Sequence, residues 1–296
     1  MSSLRLNLAN GDAIIRRVRW VFCYHTCKAV KCFRIAMQKA PSLFVSHGAP
    51  TFALDATDLV NKLKALGTQL ANIKAVLVVS PHWQANKLEV MTTALPETIH
   101  DFYGFPSELY GLQYPVRGSP NLASEAAALL NASGFDCDIN ASRGLDHGAW
   151  VPLMHLFPKA NVPAFQVSLP LTATPQSAYA LGQALAPLKA QGVLILGTGG
   201  ITHNLGHFMR RDIDLSYVGQ FVDWVRKAIM ENRVEDLLNY RRLAPNALQA
   251  HPTDEHFLPL FVALGSHAPD EMLELIDGGV SYDILCMDSY LWKMPA

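Results

Sequence analysis

A chain of 296 residues is long enough to bury a substantial core, as one large α/β domain or two small ones, and with half its residues apolar and 17% charged it is not a disordered chain. No apolar run approaches the roughly 18 residues of a membrane span, and a net charge of −1 gives no electrostatic case for nucleic acid or anionic lipid. The chain therefore reads as soluble, with no membrane and no nucleic-acid partner, and five cysteines in no disulfide-like arrangement suit a reducing cytoplasm.

The charge is uneven. Residues 1–36 carry seven Lys/Arg against the single Asp12, which leaves the remaining 260 residues with a net charge of −7. Cys23, Cys27 and Cys32, with His25 between the first two, match no paired Cys-x-x-Cys zinc spacing. A targeting peptide is a second reading of this Arg-rich, acid-poor segment, but its amphipathic pattern is weak. The favoured reading is an N-terminal extension outside the fold, with Met37 as the natural start and residues 37–296 as the folded domain.

From there strand and helix signals alternate. Leu43 to Gly48 (LFVSHG) predicts a strand delivering His47, followed by a turn at Gly48-Ala49-Pro50. Leu59, Leu63, Leu66 and Leu70 recur at helical spacing and mark a helix with one apolar face. Ala75 to Trp83 (AVLVVSPHW) predicts a strand buried on both faces, closed by Ser80-Pro81, with His82 just past its carboxyl end. Residues 84–120 read as an irregular, proline-punctuated stretch around His100-Asp101-Phe102-Tyr103-Gly104-Phe105, and loops of that length are usually functional.

Ser119-Pro120 opens a helix ending at Gly134, and Phe135, Cys137 and Ile139 alternate as a strand. The glycine-bracketed turn Gly144 to Trp150 presents Asp146 and His147 before a short apolar helix to Phe157. A strand follows over Val162 to Leu169, and Thr174-Pro175 caps a helix stopped by Gly192. The next strand (VLILGTGGITHN) delivers His203. Two helices over Ser216–Glu231 and Val234–Leu243, the segment His251 to His256, a helix through Leu264 and a closing strand over Ser281–Met287 complete the chain. With no repeat and no linker, the pattern predicts a single three-layer α/β/α domain with a central, mostly parallel or mixed sheet.

Three predicted strands thus hand His47, His82 and His203 to one rim, the edge where open α/β sheets bind ligands. His256 flanks a Pro turn and could join them, whereas His155, His207 and His267 read as ordinary core or surface residues. Imidazole is the commonest metal ligand, so the spacing leaves a metal site and a structural role both open. The absence of His-Glu-x-x-His argues against a zincin-type protease. Gly197-Thr198-Gly199-Gly200 lacks both the Walker Lys-Ser/Thr and the dinucleotide fingerprint, and neither Ser46 nor Ser80 lies in a Gly-x-Ser-x-Gly elbow.

Six ordered motifs carry a resemblance: Ser46-His47-Gly48-Ala49-Pro50, Ser80-Pro81-His82-Trp83, Thr98 to Phe105, Asp146-His147-Gly148-Ala149-Trp150, Thr202-His203-Asn204-Leu205 and Pro252 to His256. Over roughly residues 40–290 the chain resembles the DOPA 4,5-dioxygenase branch of the class III, LigB-type extradiol dioxygenases. The resemblance implies O2-dependent opening of a catechol ring beside its hydroxyls, with a small aromatic substrate and O2 as partners. It implies His47, His82 and His256 as metal ligands, and His203 as a further ligand or the acid/base. His147 would face a substrate walled by His100, Phe102, Tyr103, Phe105 and Trp150. Better-known members of the wider family bind iron through two histidines and a glutamate; here the third position falls on His256, with Glu255 adjacent. An all-histidine set suits Zn(II) as well as Fe(II), and Zn(II) has no redox chemistry. A zinc hydrolase and a non-catalytic metal-binding protein are the competing readings.

Overall fold

The computed structural model describes residues 39–210 and 212–295. The expectations for residues 1–36, including the cysteine-rich segment and the start at Met37, lie outside the described residues.

The first half of the fold comprises β1 (Ser42–Ser46), α1 (Asp58–Gln69), β2 (Ala75–Ala85), β3 (Leu88–Met91), the short α2 (Ser107–Tyr110), α3 (Pro120–Ala132), β4 (Cys137–Asn140) and α4 (His147–Leu156). It continues through β5 (Ala164–Pro170), α5 (Pro175–Leu185), β6 (Val193–Gly199) and α6 (Ser216–Met230) to three short helices, α7 (Val234–Leu238), α8 (Tyr240–Leu243) and α9 (Ala247–Ala250). The chain closes with α10 (Leu258–Ser266), β7 (Met272–Ile276), β8 (Val280–Ser281), β9 (Leu285–Cys286) and β10 (Ser289–Lys293).

Eight strands form one mixed sheet in the order β4-β3-β5-β2-β6-β1-β10-β7, with β5, β2, β6 and β1 mutually parallel at its centre. Those strands are buried along almost their whole length, as expected of parallel strands covered on both faces. α5 and α10 pack on each other with α10 over β6 and β1, while α1 packs on α4 and α4 on β2 and β6, giving the expected three-layer α/β/α domain. The helical spacing seen in α1 buries Leu59, Leu63 and Leu66, each worth roughly 1.5–3 kcal/mol on transfer from water. Thr174 caps α5 through a reciprocal hydrogen-bond pair with Ser177.

Several sequence expectations need correction. Ser80-Pro81 does not close β2, which runs on to Ala85; its pairing with β6 ends at Val79 and its register against β5 shifts between Val79 and Gln84. Pro81 has no N–H to donate to a ladder, so the segment bulges and carries His82 out to the rim from within the strand. Residues 84–120 are not wholly irregular: they include β3, only four residues long and too short for alternation to stand out from the prolines around it. The closing strand is β10 rather than Ser281–Met287, where Tyr282 and Asp283 adopt left-handed φ of 53° and 62° and make the turn of the β8–β9 hairpin. β10 is wedged antiparallel between β1 and β7, with Tyr290 and Leu291 fully buried. The helix predicted over Val234–Leu243 is broken at Asn239 into α7 and α8.

Candidate metal centre and its cavity

β1, β2 and β6 are neighbours in the sheet and run the same way, so His47, His82 and His203 leave the same edge. His47 directly follows β1, where its N–H donates to the Gly199 carbonyl (2.9 Å). The loop after β6 is laced to the segment before α10: Gly200 N–H donates to the His256 carbonyl and His203 N–H to the Ala250 carbonyl, both at 2.9 Å. His251, fully buried, donates from Nε2 to the Ile201 carbonyl at 2.8 Å and completes the lacing. Gly199 is required by this approach, because a Cβ there would overlap the His256 carbonyl oxygen.

His147 arrives from another direction, as the first residue of α4. Asp146, completely buried, caps that helix by accepting from Ala149 N–H (3.2 Å), and it also accepts from Ser80 Oγ (2.7 Å), Gln166 Nε2 (2.8 Å) and Arg143 Nη2 (3.1 Å). One carboxylate therefore ties the β2 bulge to the start of α4. Arg143 extends the tie by donating to the His82 carbonyl (3.3 Å).

Five imidazoles meet in one cavity of about 590 Å3: His47, His82, His147, His203 and His256. The Nε2 atoms of His47 and His82 face each other at 3.2 Å. The ring of His256 lies 5.6 Å from that of His47 and 5.0 Å from that of His82, and the His203 ring stacks on His256 at 3.4 Å. Ligand atoms approach most closely in two sets, His47-His82-His147 and His203-Glu255-His256. The expected trio of His47, His82 and His256 thus bridges the two sets, and His147, expected to face the substrate, stands beside His47 and His82.

Burial governs the electrostatics. Desolvation, followed by the charges of neighbouring histidines, holds His47 and His256 well below the ordinary value, and desolvation pulls His82 and His203 down to about 4. These imidazoles are therefore neutral, the form that ligates a cation. Burial works against the charge of Asp101, but its hydrogen bonding with His147 outweighs that and brings its carboxyl down to about 2. Asp101 Oδ1 accepts from His147 N–H at 2.9 Å and lies 3.0 Å from His147 Nδ1, though Nδ1 is poorly aligned to donate. Its other oxygen is 3.6 Å from His82 Nδ1, too far for a hydrogen bond and, with His82 neutral, no ion pair.

The donor set fits a divalent metal. Two nitrogens each about 2.1 Å from one tetrahedral ion stand roughly 3.4 Å apart, close to the facing Nε2 pair. Glu255 Oε1 is 3.2 Å from His256 Nδ1, and a carboxylate on that side of a ring favours the tautomer that leaves Nε2 free to ligate. His47 Nδ1 is buried without any partner among the described residues.

Residues 41–289 match the family described as the catalytic LigB subunit of aromatic ring-opening dioxygenase. The chain belongs to the LigB family. It is 40% identical over 250 residues to a 4,5-DOPA dioxygenase extradiol of Beta vulgaris, spanning 81% of this chain and 92% of that protein. It is 32% identical to the enzyme of the same name from Escherichia coli K12, spanning 87% of this chain and 96% of that protein. The crystal structure of an uncharacterized protein from Escherichia coli K12 superposes with a TM-score of 0.70 at 26% identity, covering 86% of this chain and 99% of that one. The protein is thus an extradiol, metal-dependent, aromatic ring-opening dioxygenase of the DOPA-like branch. No helix among the described residues is long and apolar enough to cross a membrane.

The LigB cavity sorts the expected substrate contacts. Phe102, Tyr103 and Phe105 line it, with Phe102 edge-on to His147 at 5.6 Å. His100 and Trp150 do not. Trp150 is fully buried and donates from Nε1 to the Ile99 carbonyl (2.9 Å), and His100 Nε2 donates to the Leu112 carbonyl (2.9 Å). Both pack behind the aromatic segment, the His100 ring lying 5.8 Å from the rings of both Phe102 and Trp150. Sequence reading missed Leu205, Phe208, Tyr282 and Leu285 on the opposite wall. Leu205 and Phe208 follow His203 closely enough to have been suspected, whereas the β8–β9 hairpin brings Tyr282 and Leu285 from about 80 residues away with no local signal.

Proposed function

We propose that the protein opens a catechol ring with O2 at an Fe(II) ion held by His47, His82 and His256, with His203 as the proton-transfer group. The observation that supports this most is the convergence of five histidines, four of them held neutral by burial, in a single apolar-walled cavity at the carboxyl edge of the sheet. Fe(II), when bound, supplies the redox chemistry by which O2 reacts with a catechol, which Zn(II) lacks.

The chain's own residues do the rest. His203, stacked on His256, takes a phenolic proton from the catechol and returns one later; the nearby Glu255 charge favours its protonated form and partly offsets its burial. His147, whose backbone N–H is held by Asp101, faces the ring from the other side. Phe102, Tyr103 and Phe105 wall the ring. DOPA, the substrate named for the relatives, is one candidate catechol.

The test is to load the protein anaerobically with Fe(II), add a catechol and admit oxygen. Stoichiometric O2 uptake with a coloured semialdehyde product is expected. Uptake no faster than with Zn(II)-loaded protein would reject the proposal.

A further inference from the structure

We infer that Thr202 is a positioning residue, whose hydroxyl clamps the β8–β9 hairpin to the loop that carries His203 and so holds one wall of the cavity in place. The inference rests on the reading of this cavity as the catechol site. Thr202 belongs to one of the six motifs and stands directly before His203. It is buried and is not itself among the residues that line the cavity, so any effect on the reaction must pass through its partners.

The hairpin needs such a clamp. Among the described residues β8 and β9 pair with each other through two residues a side and stand apart from the eight-stranded sheet. A two-stranded ribbon of that size is marginal in water at best. Yet Tyr282 at its turn and Leu285 on β9 both line the cavity, so the shape of that wall depends on where the hairpin sits. Thr202 grips it on either side of Leu285: Oγ1 donates to the Ile284 carbonyl at 2.7 Å and accepts from Cys286 N–H at 2.8 Å. Alternate residues of an antiparallel ladder turn their backbone groups outward; Met287 N–H bonds across the hairpin to the Gly279 carbonyl at 2.9 Å, and Cys286 N–H turns out to Thr202. Thr202, Ile284 and Cys286 are each only 1% exposed, so water cannot take the place of the hydroxyl. Without it a buried donor and a buried acceptor are left unpaired.

The fastening at the other end is weaker. At the hairpin tip the Tyr282 hydroxyl and Thr51 Oγ1 are hydrogen-bonded at 2.8 Å in an exposed position, where water competes for both. His203, by contrast, is held without the Thr202 hydroxyl. Its own N–H donates to the Ala250 carbonyl at 2.9 Å, and Asn204 Nδ2, one residue on, donates to the Gln249 carbonyl at 2.7 Å. Removing the hydroxyl therefore loosens the wall that binds substrate and spares the group that moves the proton.

The experiment compares Thr202→Val, which keeps the shape and removes the hydroxyl, with Thr202→Ser, which keeps the hydroxyl. Hydrogen exchange on Fe(II)-loaded protein under nitrogen, without substrate, reads the clamp: the Cys286 amide should exchange about tenfold or more faster in Thr202→Val and at the wild-type rate in Thr202→Ser. Anaerobic calorimetry with DOPA, followed by O2 uptake, reads the wall. Kd and KM should rise about tenfold in Thr202→Val, the low end of what a few lost contacts in a pocket cost, with kcat within about twofold and metal content unchanged. A general loss of stability would not separate KM from kcat in protein assayed well below its Tm. Unchanged exchange, an unchanged Kd, or a fall in kcat at constant KM each overturns the inference. If Thr202→Val does not fold, the wild type decides: its Cys286 amide should exchange as slowly as that of Met287, and exchange at the rate of an open amide refutes the clamp. If DOPA binding weakens as expected but not even the wild type consumes O2, the clamp stands and the ring-opening proposal falls.

Discussion

Asp146 is a carboxylate on which two segments of the site depend, and Asp146→Asn is the change that isolates its charge. The residue is completely buried and accepts from Ser80, Gln166, Arg143 and the Ala149 N–H, while its own N–H donates to Gln166 Oε1 (3.3 Å). An asparagine can keep one oxygen toward Ser80 and Ala149, but its amide N–H2 then faces the Nε2 donor of Gln166 and the guanidinium of Arg143. Turning the Gln166 amide over would relieve the first clash only by removing the acceptor of the backbone N–H at position 146. Two charge-assisted hydrogen bonds are lost, each worth about 1.5–3 kcal/mol, and breaking a buried ion pair on one side costs a comparable total of about 3–5 kcal/mol. The expected loss is therefore about 3–5 kcal/mol, or roughly 6–20 °C in Tm at about 2–4 °C per kcal/mol for a domain near this size. Urea unfolding followed by far-UV circular dichroism gives the free energy, and a thermal scan gives the Tm. Metal affinity should also weaken by about 10–100-fold, because the β2 bulge bearing His82 loses its tie to α4. A loss below about 1 kcal/mol would mean that the network repacks freely, and the argument from buried charge would be wrong.

His47→Ala, His82→Ala and His256→Ala should each abolish metal retention in a folded protein, whereas His147→Ala should retain it; metal analysis of the purified variants decides, and retention by His256→Ala with loss from His147→Ala would move the centre to the His47-His82-His147 set. His203→Gln should keep metal and catechol binding and lose turnover by on the order of 10²–10⁴-fold, the usual contribution of a positioned proton-transfer group. Metal loss in step with activity would make His203 a ligand instead. His251 is held down to about 3 by burial, below the ordinary 6.5, so the unfolded chain takes up a proton at this residue before the folded protein does. Its contribution to stability is full above pH 6.5 and is lost as pH falls toward 3, by roughly 3 kcal/mol at pH 4. His251→Gln, which keeps a donor for the Ile201 carbonyl, should show a shallower acid loss by that amount, and parallel stability curves for the two proteins would refute it.

Local sequence patterning determined much of this protein. Short, unbroken apolar runs at β1, β2 and β6, bounded by turn residues, read as strands covered on both faces, and parallel strands between helices bring their carboxyl ends to one edge. The shared rim of His47, His82 and His203 was therefore legible, as were the helices whose leucines recur every three or four residues. The six motifs carried the family. What the sequence withheld depends on long-range packing. Pro81 was legible as a strand terminator, but only pairing with β5 carries the strand past it as a bulge that re-aims His82. Trp150 was expected in the substrate wall, three residues after His147, yet the packing of α4 buries it completely and its indole N–H is taken by the Ile99 carbonyl. The far wall of the cavity, with Tyr282 and Leu285, exists because β10 inserts between β1 and β7 and draws the preceding hairpin over the site. No local propensity encodes that placement, because it arises from strand pairing between segments about 250 residues apart.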